Sequence, residues 1–504
     1  MSTITPSFPA NFFGNEPAQL ASRLTKTDLA TLAEVRGDTI YNWSGIHSIA
    51  RKSQLVKPET EQQLSKIVRE SRGKIHIIGT GLSYEQIATL PLNDPTSTLI
   101  SVEHFKGLIS IHHDRQTAIF GAATPVNQII STLGEHDMMI ACSPGVVGIQ
   151  TIAGALATGT HGQGLFQSAY SDTVVSLRVC LPSGQIIDVD ENTKDYPLQA
   201  FVTSVGMLGV ILHVELKMKP RAVLYCHKTT CNFDEFLENY PEWNENSHHV
   251  KAWWFPETDQ VQLWRVDEAN PQLSSTFLST DRKAPFETDN VAHSMQDTVD
   301  RYVEKLSHDT NSSATSHQPQ FLTVKRFADT RNLVGYTEQI LTKGIPVPQI
   351  NCEIAVPLKR FREATAALHQ WNKENAGKLH YPFIYRAVGK SDAWLSPVHE
   401  GPAVWIGFLV YIGEDGSVRR DGMETMERLQ ELLAGFGGLP HWGKHFVPKT
   451  YDFEGKIRNW NNFLELRKRV DPTGRFLSRF MSEIIVNNQK LSAEKRTRNV
   501  RAKL

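Results

Sequence analysis

With 504 residues, 40% apolar side chains and 53 basic against 54 acidic residues, the chain can bury a large core and should divide into at least two domains. A formal net charge of -1 gives no basic face for nucleic acid, and the five cysteines, odd in number and without a C-x-x-C pair, argue against a disulfide framework or a zinc site. No apolar run reaches the roughly 18 residues of a membrane span, and the N-terminus lacks the basic-then-apolar layout of a signal peptide, so a soluble intracellular enzyme is expected.

Residues 1–40 read as a helical lead-in, since Leu24, Leu29, Leu32 and Val35 offer one helical face. Residues 41–220 form a first domain. There Thr60, with Gln63 three positions on, signals a helix start, and Leu64, Ile67 and Val68 line one apolar face until Gly73 stops it. A short strand at 75–78 then runs into Gly79-Thr80-Gly81-Leu82-Ser83-Tyr84, a turn whose amides and hydroxyls can hold a pyrophosphate. The third glycine of a G-x-G-x-x-G fingerprint is missing, so a Rossmann domain is not expected.

The run at 143–164, S-P-G-V-V-G-I-Q-T-I-A-G-A-L-A-T-G-T-H-G-Q-G, is crowded with residues that have almost no side chain. Such a stretch leaves main-chain N–H groups uncovered for a phosphate or a flat cofactor; the alternative is tight packing between elements. Strands follow at 174–180, 186–189 and, after Gly206 and Gly209, at 210–218. Residues 221–440 form a second domain of strands and helices. Trp253, Trp254, Phe255, Val261, Leu263 and Trp264 predict a hairpin across 256–260 with its aromatics in the core, and the polar segment 308–320 reads as a surface loop.

Five motifs in order carry a resemblance: G-T-G-L-S from Gly79, Q-T-I-A-G-A-L-A-T-G-T-H-G from Gln150, V-G-M-L-G-V-I from Val205, D-A-W-L-S-P from Asp392 and H-W-G-K from His441. Together they resemble the FAD-linked oxidoreductases of the vanillyl-alcohol oxidase type, in the branch of aldonolactone oxidases and alditol oxidase. The resemblance implies an α+β fold: a two-subdomain PCMH-type FAD-binding domain, a substrate domain with a large antiparallel sheet, and a C-terminal segment, 441–504, that returns to the flavin. It implies FAD as cofactor and, as activity, dehydrogenation of a hydroxyl-bearing carbon by hydride transfer to flavin N5, with dioxygen reduced to hydrogen peroxide. The implied cofactor contacts are Gly79, Thr80, Gly81, Leu82, Ser83, Tyr84, Gly145, Thr151, Gly154, Thr158, Gly159, His161, Gly162, Val210 and His441, and no metal is implied.

Many members attach FAD through a histidine in the first glycine turn, where this chain has Leu82; FAD is therefore expected to be non-covalent. Gly145 stands where glycine is typical of oxidases and alanine of a plant-type dehydrogenase, a missing methyl leaving a path for dioxygen. Arg386 matches an arginine near the flavin pyrimidine and the substrate, and Lys444 a lysine that reaches substrate or flavin and, once desolvated, can help remove the hydroxyl proton. Two departures concern the substrate: Ile384 replaces the glutamate of E-x-R, and Gly407 replaces a polyol-site histidine. They open the alternative of a less polar or aromatic substrate, while Glu353 in C-E-I-A-V-P is expected either to supply a carboxylate from the neighbouring strand or to have an edge or structural role. A dehydrogenase using a protein or quinone acceptor and a non-catalytic flavin-binding scaffold are the remaining readings. The terminal Ala502-Lys503-Leu504, behind a basic tail, is a variant of the S-K-L address and predicts a peroxisomal import receptor as partner; a frayed basic tail in a cytoplasmic protein is the alternative.

Overall fold

Which parts of the chain build the walls of a cofactor cleft is settled by four β-sheets and the order of their strands. The computed structural model describes residues 35–501 except 144, 146, 289–294, 309–323, 325, 329–330, 342–348 and 413–419. Val35–Arg36, Thr39–Tyr41 and Ser48–Arg51 form a small antiparallel sheet. Val35 and residues 39–40 are thus extended, not helical as expected; residues 1–34 lie outside the described residues. A second small sheet is parallel, with Thr98–Ser101 between Leu55–Val56 and Ile75–Ile78.

The helix Glu61–Glu70 joins strands of that parallel sheet, because parallel neighbours need a crossover. The Thr60 hydroxyl accepts from the Gln63 amide at 3.2 Å, and Leu64 and Val68 are fully buried. The helix stops at Glu70, three residues before Gly73, whose missing side chain instead makes room for the Thr96–Ser97 backbone. Arg475 returns from the C-terminal segment and donates to the Val68, Ser71 and Pro182 carbonyls, tying that segment to the first domain.

A six-stranded antiparallel sheet follows, ordered Ile186–Asp190, Val174–Cys180, Val210–Pro220, Thr117–Gly121, Leu108–His112, with Met138–Ile140 on the far end of Val210–Pro220. The remaining strands build one nine-stranded antiparallel sheet. Its central order is Gln260–Glu268, His249–Phe255, Phe383–Val388, Ala403–Tyr411, Gln349–Pro357, with Leu439–Pro440 at the edge just before His441. The predicted hairpin is His249–Phe255 with Gln260–Glu268, and its aromatics are core: Trp254 stacks on Phe383 at 5.2 Å and Trp253 meets Trp264 edge-on at 4.9 Å. His308 ends the helix Gln296–His308 and is not a loop residue; the rest of the expected loop lies outside the described residues.

The glycine-rich segment is fastened directly to the large sheet. Gly164 donates to the Ala387 carbonyl and Gly389 to the Gln167 carbonyl, each at 2.7 Å, and the His249 Nδ1 lies 2.9 Å from the Gln163 carbonyl oxygen. Asp172 accepts from the Ser391 hydroxyl at 2.8 Å and from the Asp392 amide at 3.3 Å, so the D-A-W-L-S-P motif is a joint between the two parts. A buried Trp442 completes that joint by donating to the Leu395 carbonyl at 2.8 Å.

Candidate functional site

One long cleft runs between these sheets, with an empty volume of about 1690 Å³ including its open mouth. One wall of it is made of backbone. The whole turn from Gly79 to Tyr84 lines it, with Gly81 at φ +70°, a left-handed conformation that glycine adopts without strain. This turn is held from behind: Trp43 donates to the Gly81 carbonyl at 3.0 Å, Asn42 to that of Ser83 at 3.1 Å, and the Tyr84 amide to Gly443 at 3.1 Å. Opposite stands the short helix Ile152–Ala157, capped by the Thr151 hydroxyl accepting from the Gly154 amide at 3.3 Å. A β-carbon on Gly79 would collide with that hydroxyl, so the two backbones approach as closely as they do because residue 79 has no side chain.

Beside Tyr84, whose ring lies 5.8 Å from Lys444 Nζ, the cleft carries charge. Glu353 is buried, and its carboxylate accepts a hydrogen bond from Arg386 Nη2. The same oxygen lies 3.6 Å from His161 Nε2, and the second oxygen lies 3.9 Å from Lys444 Nζ. Burial alone would raise the pKa of this carboxyl; Arg386, His161 and Lys444 together hold it well below the usual range. The Lys444 pKa is pulled below that of an ordinary lysine by burial, with Arg386 acting the same way and Glu353 and Cys352 opposing. His161 is kept towards its neutral form by burial and by Arg386, against the pull of Glu353, and it stacks on Trp405 with ring centroids 4.3 Å apart. His441, also pushed towards neutrality by burial, accepts from the Gly443 amide through Nδ1 at 2.9 Å.

These two parts of the cleft fit FAD. The glycine turn, packed closely on the Thr151 cap, offers a backbone that a pyrophosphate can approach. In the charged part Arg386 Nε is buried with no hydrogen-bond partner among the described residues, which leaves polar capacity for the edge of a heteroaromatic ring.

Comparison with known proteins agrees. The pattern of an FAD-binding domain matches residues 53–190, and that of the D-arabinono-1,4-lactone oxidase family matches residues 214–484, more than half of the chain. The chain belongs to the D-arabinono-1,4-lactone oxidase family. It is 22% identical over 458 residues to L-gulonolactone oxidase of Scyliorhinus torazame, covering 88% of this chain and 97% of that protein. It is 25% identical over 457 residues to L-gulono-1,4-lactone dehydrogenase of Mycobacterium tuberculosis, covering 88% and 98%. Cholesterol oxidase from B. sterolicum shares the fold, with a TM-score of 0.68 at 15% identity over 89% of this chain and 96% of that one. The protein is therefore an FAD-dependent oxidoreductase of the aldonolactone oxidase branch.

For this member of the family, the cleft brings together most of the expected residues: the turn Gly79 to Tyr84, Gly145, Thr151, Gly154, Thr158, His161, Arg386, His441 and Lys444 all line it. Gly159, Gly162 and Val210 do not. Gly159 takes φ +71° to end the short helix, and Gly162 packs against Ser143, whose atoms a β-carbon would strike. Val210 is fully buried in the core; its neighbours Gly209 and Ile211 reach the cleft instead, because alternate residues of a strand face opposite ways. The two departures also change meaning. Ile384 packs beside Trp253, Leu409 and Phe327 in an apolar cluster, and neither it nor Gly407 lines the cleft. Sequence reasoning missed His47, Glu85 and His445, where Glu85 sits 2.5 Å from His445 Nδ1 and 3.9 Å from His47 Nε2 beside the glycine turn. The adjacent positions of Glu85 after Tyr84 and His445 after Lys444 were the signal available.

Replacing Gly79 by alanine should push the Thr151 cap out of place and weaken FAD binding about tenfold or more, the equivalent of roughly 1.4 kcal/mol. Fluorescence titration of the stripped protein with FAD measures this; an unchanged dissociation constant would remove the turn from the cofactor site.

Proposed function

We propose that the protein oxidises a hydroxyl-bearing carbon of an aldonolactone, using FAD held without a covalent bond and dioxygen as the final acceptor, which leaves as hydrogen peroxide. One observation carries this reading: Arg386 and Lys444 converge on a single buried carboxylate in a cleft that a glycine cradle also lines. When bound, FAD supplies the acceptor for the hydride of the substrate C–H bond. Arg386 is a fixed guanidinium that holds a substrate oxygen and stabilises the negative charge gained on reduction. Lys444, desolvated and with a lowered proton affinity, takes the hydroxyl proton as the carbonyl forms. A polar, oxygen-rich substrate suits this site better than an apolar one, because Glu353 places a carboxylate beside Arg386 although Ile384 does not.

Leu82 lines the cleft at the position where a histidine would form the covalent link, and an isobutyl group cannot form it. The oxidase reading over a dehydrogenase rests on glycine standing at position 145 on the cleft wall; the same glycine also serves packing, since an added β-carbon would lie 2.9 Å from the His161 carbonyl oxygen. The Ala502-Lys503-Leu504 tail lies outside the described residues; a peroxisomal import receptor reading it would place a peroxide-forming enzyme where peroxide is contained.

Three measurements test this function. Acid precipitation should leave FAD in the supernatant and the polypeptide at its unmodified mass, whereas a mass increase equal to FAD would establish a covalent link. Lys444→Met should keep FAD bound yet slow anaerobic flavin reduction by an aldonolactone about 10²–10⁴-fold, with the wild-type rate rising with pH through a pKa below the ordinary ~10.4 of lysine; equal rates would end the role of Lys444. Gly145→Ala should slow reoxidation in air about tenfold or more in stopped flow while reduction proceeds; unaltered reoxidation would remove Gly145 from the oxygen reaction.

A further inference from the structure

Glu353 reaches its partners from an unexpected direction. It lies on the strand Gln349–Pro357, whereas Arg386 lies on Phe383–Val388, and the strand Ala403–Tyr411 runs between them. Across these three strands Glu353 is paired with Gly407, and Gly407 with Ile384, while Arg386 is paired with Trp405. Paired residues on neighbouring strands share a face, so Glu353, Gly407, Ile384 and Arg386 all project to one side. The carboxylate spans the width of the central strand at a position where that strand has no side chain. A β-carbon at Gly407 would meet Ile384 Cβ at an ordinary 3.4 Å, so there is room for a methyl at this position.

We propose that Glu353 is the positioning residue of this site: one carboxylate oxygen locks Arg386 in place, while the other supports the proton on Lys444. The substrate then meets one cation that stays charged and one that can give up its charge. This rests on the functional reading of Arg386 and Lys444 given above. The division follows from the geometry, since Arg386 makes a direct hydrogen bond to the carboxylate and Lys444 stands off at 3.9 Å with its side chain 21% exposed towards the cleft. A guanidinium keeps its proton at any working pH, whereas an ammonium held at that distance remains titratable. The groups facing Lys444 are Glu353 and Cys352 from one strand, Arg386 from another, His441 from its own segment, and the Tyr84 ring 5.8 Å away from the glycine turn. Glu353 supplies the dominant negative charge of this set, because burial holds the Cys352 thiol in its neutral form.

Glu353→Gln in the FAD-loaded protein tests the proposal through the proton affinity of Lys444 itself. Competitive acetylation with acetic anhydride across pH, read on the Lys444 peptide by mass spectrometry, reports that affinity without any substrate. The labelling midpoint should fall by about 1–3 pH units in Glu353→Gln, the size expected on losing an opposite charge at this range, and the rising limb of lactone-driven flavin reduction should move with it. Glu353→Asp should stay closer to the wild type in both. A midpoint unchanged in Glu353→Gln would overturn the proposal. A wild-type protein that no lactone reduces would instead overturn the functional reading, leaving the labelling midpoint to decide this one. Should Glu353→Gln not fold, Gly407→Val keeps every charged group and places a branched side chain on the central strand, on the face that Glu353 and Arg386 share; a lowered Lys444 midpoint is the expected result, and an unaltered one contradicts the role of Glu353.

Discussion

A buried carboxylate is expensive unless its charge is matched, and the architecture around Glu353 is organised to match it. Arg386 comes from one strand, Lys444 and His441 from the segment after the last strand of the large sheet, and His161 from the glycine-rich segment of the first domain. Four pieces of chain distant in sequence must therefore be in place before the carboxylate can be ionised at low cost. The reverse also holds: without an anion at this point, a guanidinium, an ammonium and two imidazoles would be crowded together away from bulk water. This constraint links the folding of the two domains to the formation of the site.

The mechanical side of that link is the fastening of the glycine-rich segment to the sheet. Hydrogen bonds from Gly164 and Gly389 zip residues 164–167 onto the end of the strand that carries Arg386, and His249 adds a contact from the next strand. A cofactor lying along the first domain is thereby brought up against the face of the second at a fixed height. The Tyr84 amide on the Gly443 carbonyl does the same for the two turns that flank the cleft, so Lys444 follows directly from a residue bonded to the glycine cradle. Preorganisation of this kind is what a charge-stabilising site needs, because groups already in place cost no reorganisation during the reaction.

Local features of the fold were legible in the sequence, and features that depend on strand order were not. The glycine turn, the capped helix at Thr60 and the Trp253–Trp254 hairpin are each written within a dozen residues, where spacing and residue type decide the conformation. The pairing of Glu353 with Arg386 depends on a strand that comes later in the chain inserting between two earlier ones, and no local pattern announces it. For the same reason Ile384 reads as a lost carboxylate when only the Ile384-Tyr385-Arg386 triplet is considered, whereas the sheet supplies a carboxylate from elsewhere. Val210 failed by a single position: in a strand, a shift of one residue exchanges the core face for the cleft face. The extended backbone at Val35 shows the opposite limit, since scattered apolar residues suggested a helix where strand pairing with residues 39–40 prevailed.

The charged cluster should face the flavin of the bound cofactor, and the Gly79 side of the glycine turn its phosphates. A crystal structure of the FAD-loaded protein tests it most directly. The expected structure has the pyrimidine edge of the flavin within hydrogen-bonding distance of Arg386, Lys444 facing the same edge, and Leu82 in van der Waals contact with the ring at the opposite edge. A flavin ring seated away from Arg386, with the phosphates anywhere other than between the Gly79 turn and the Thr151 cap, would contradict it.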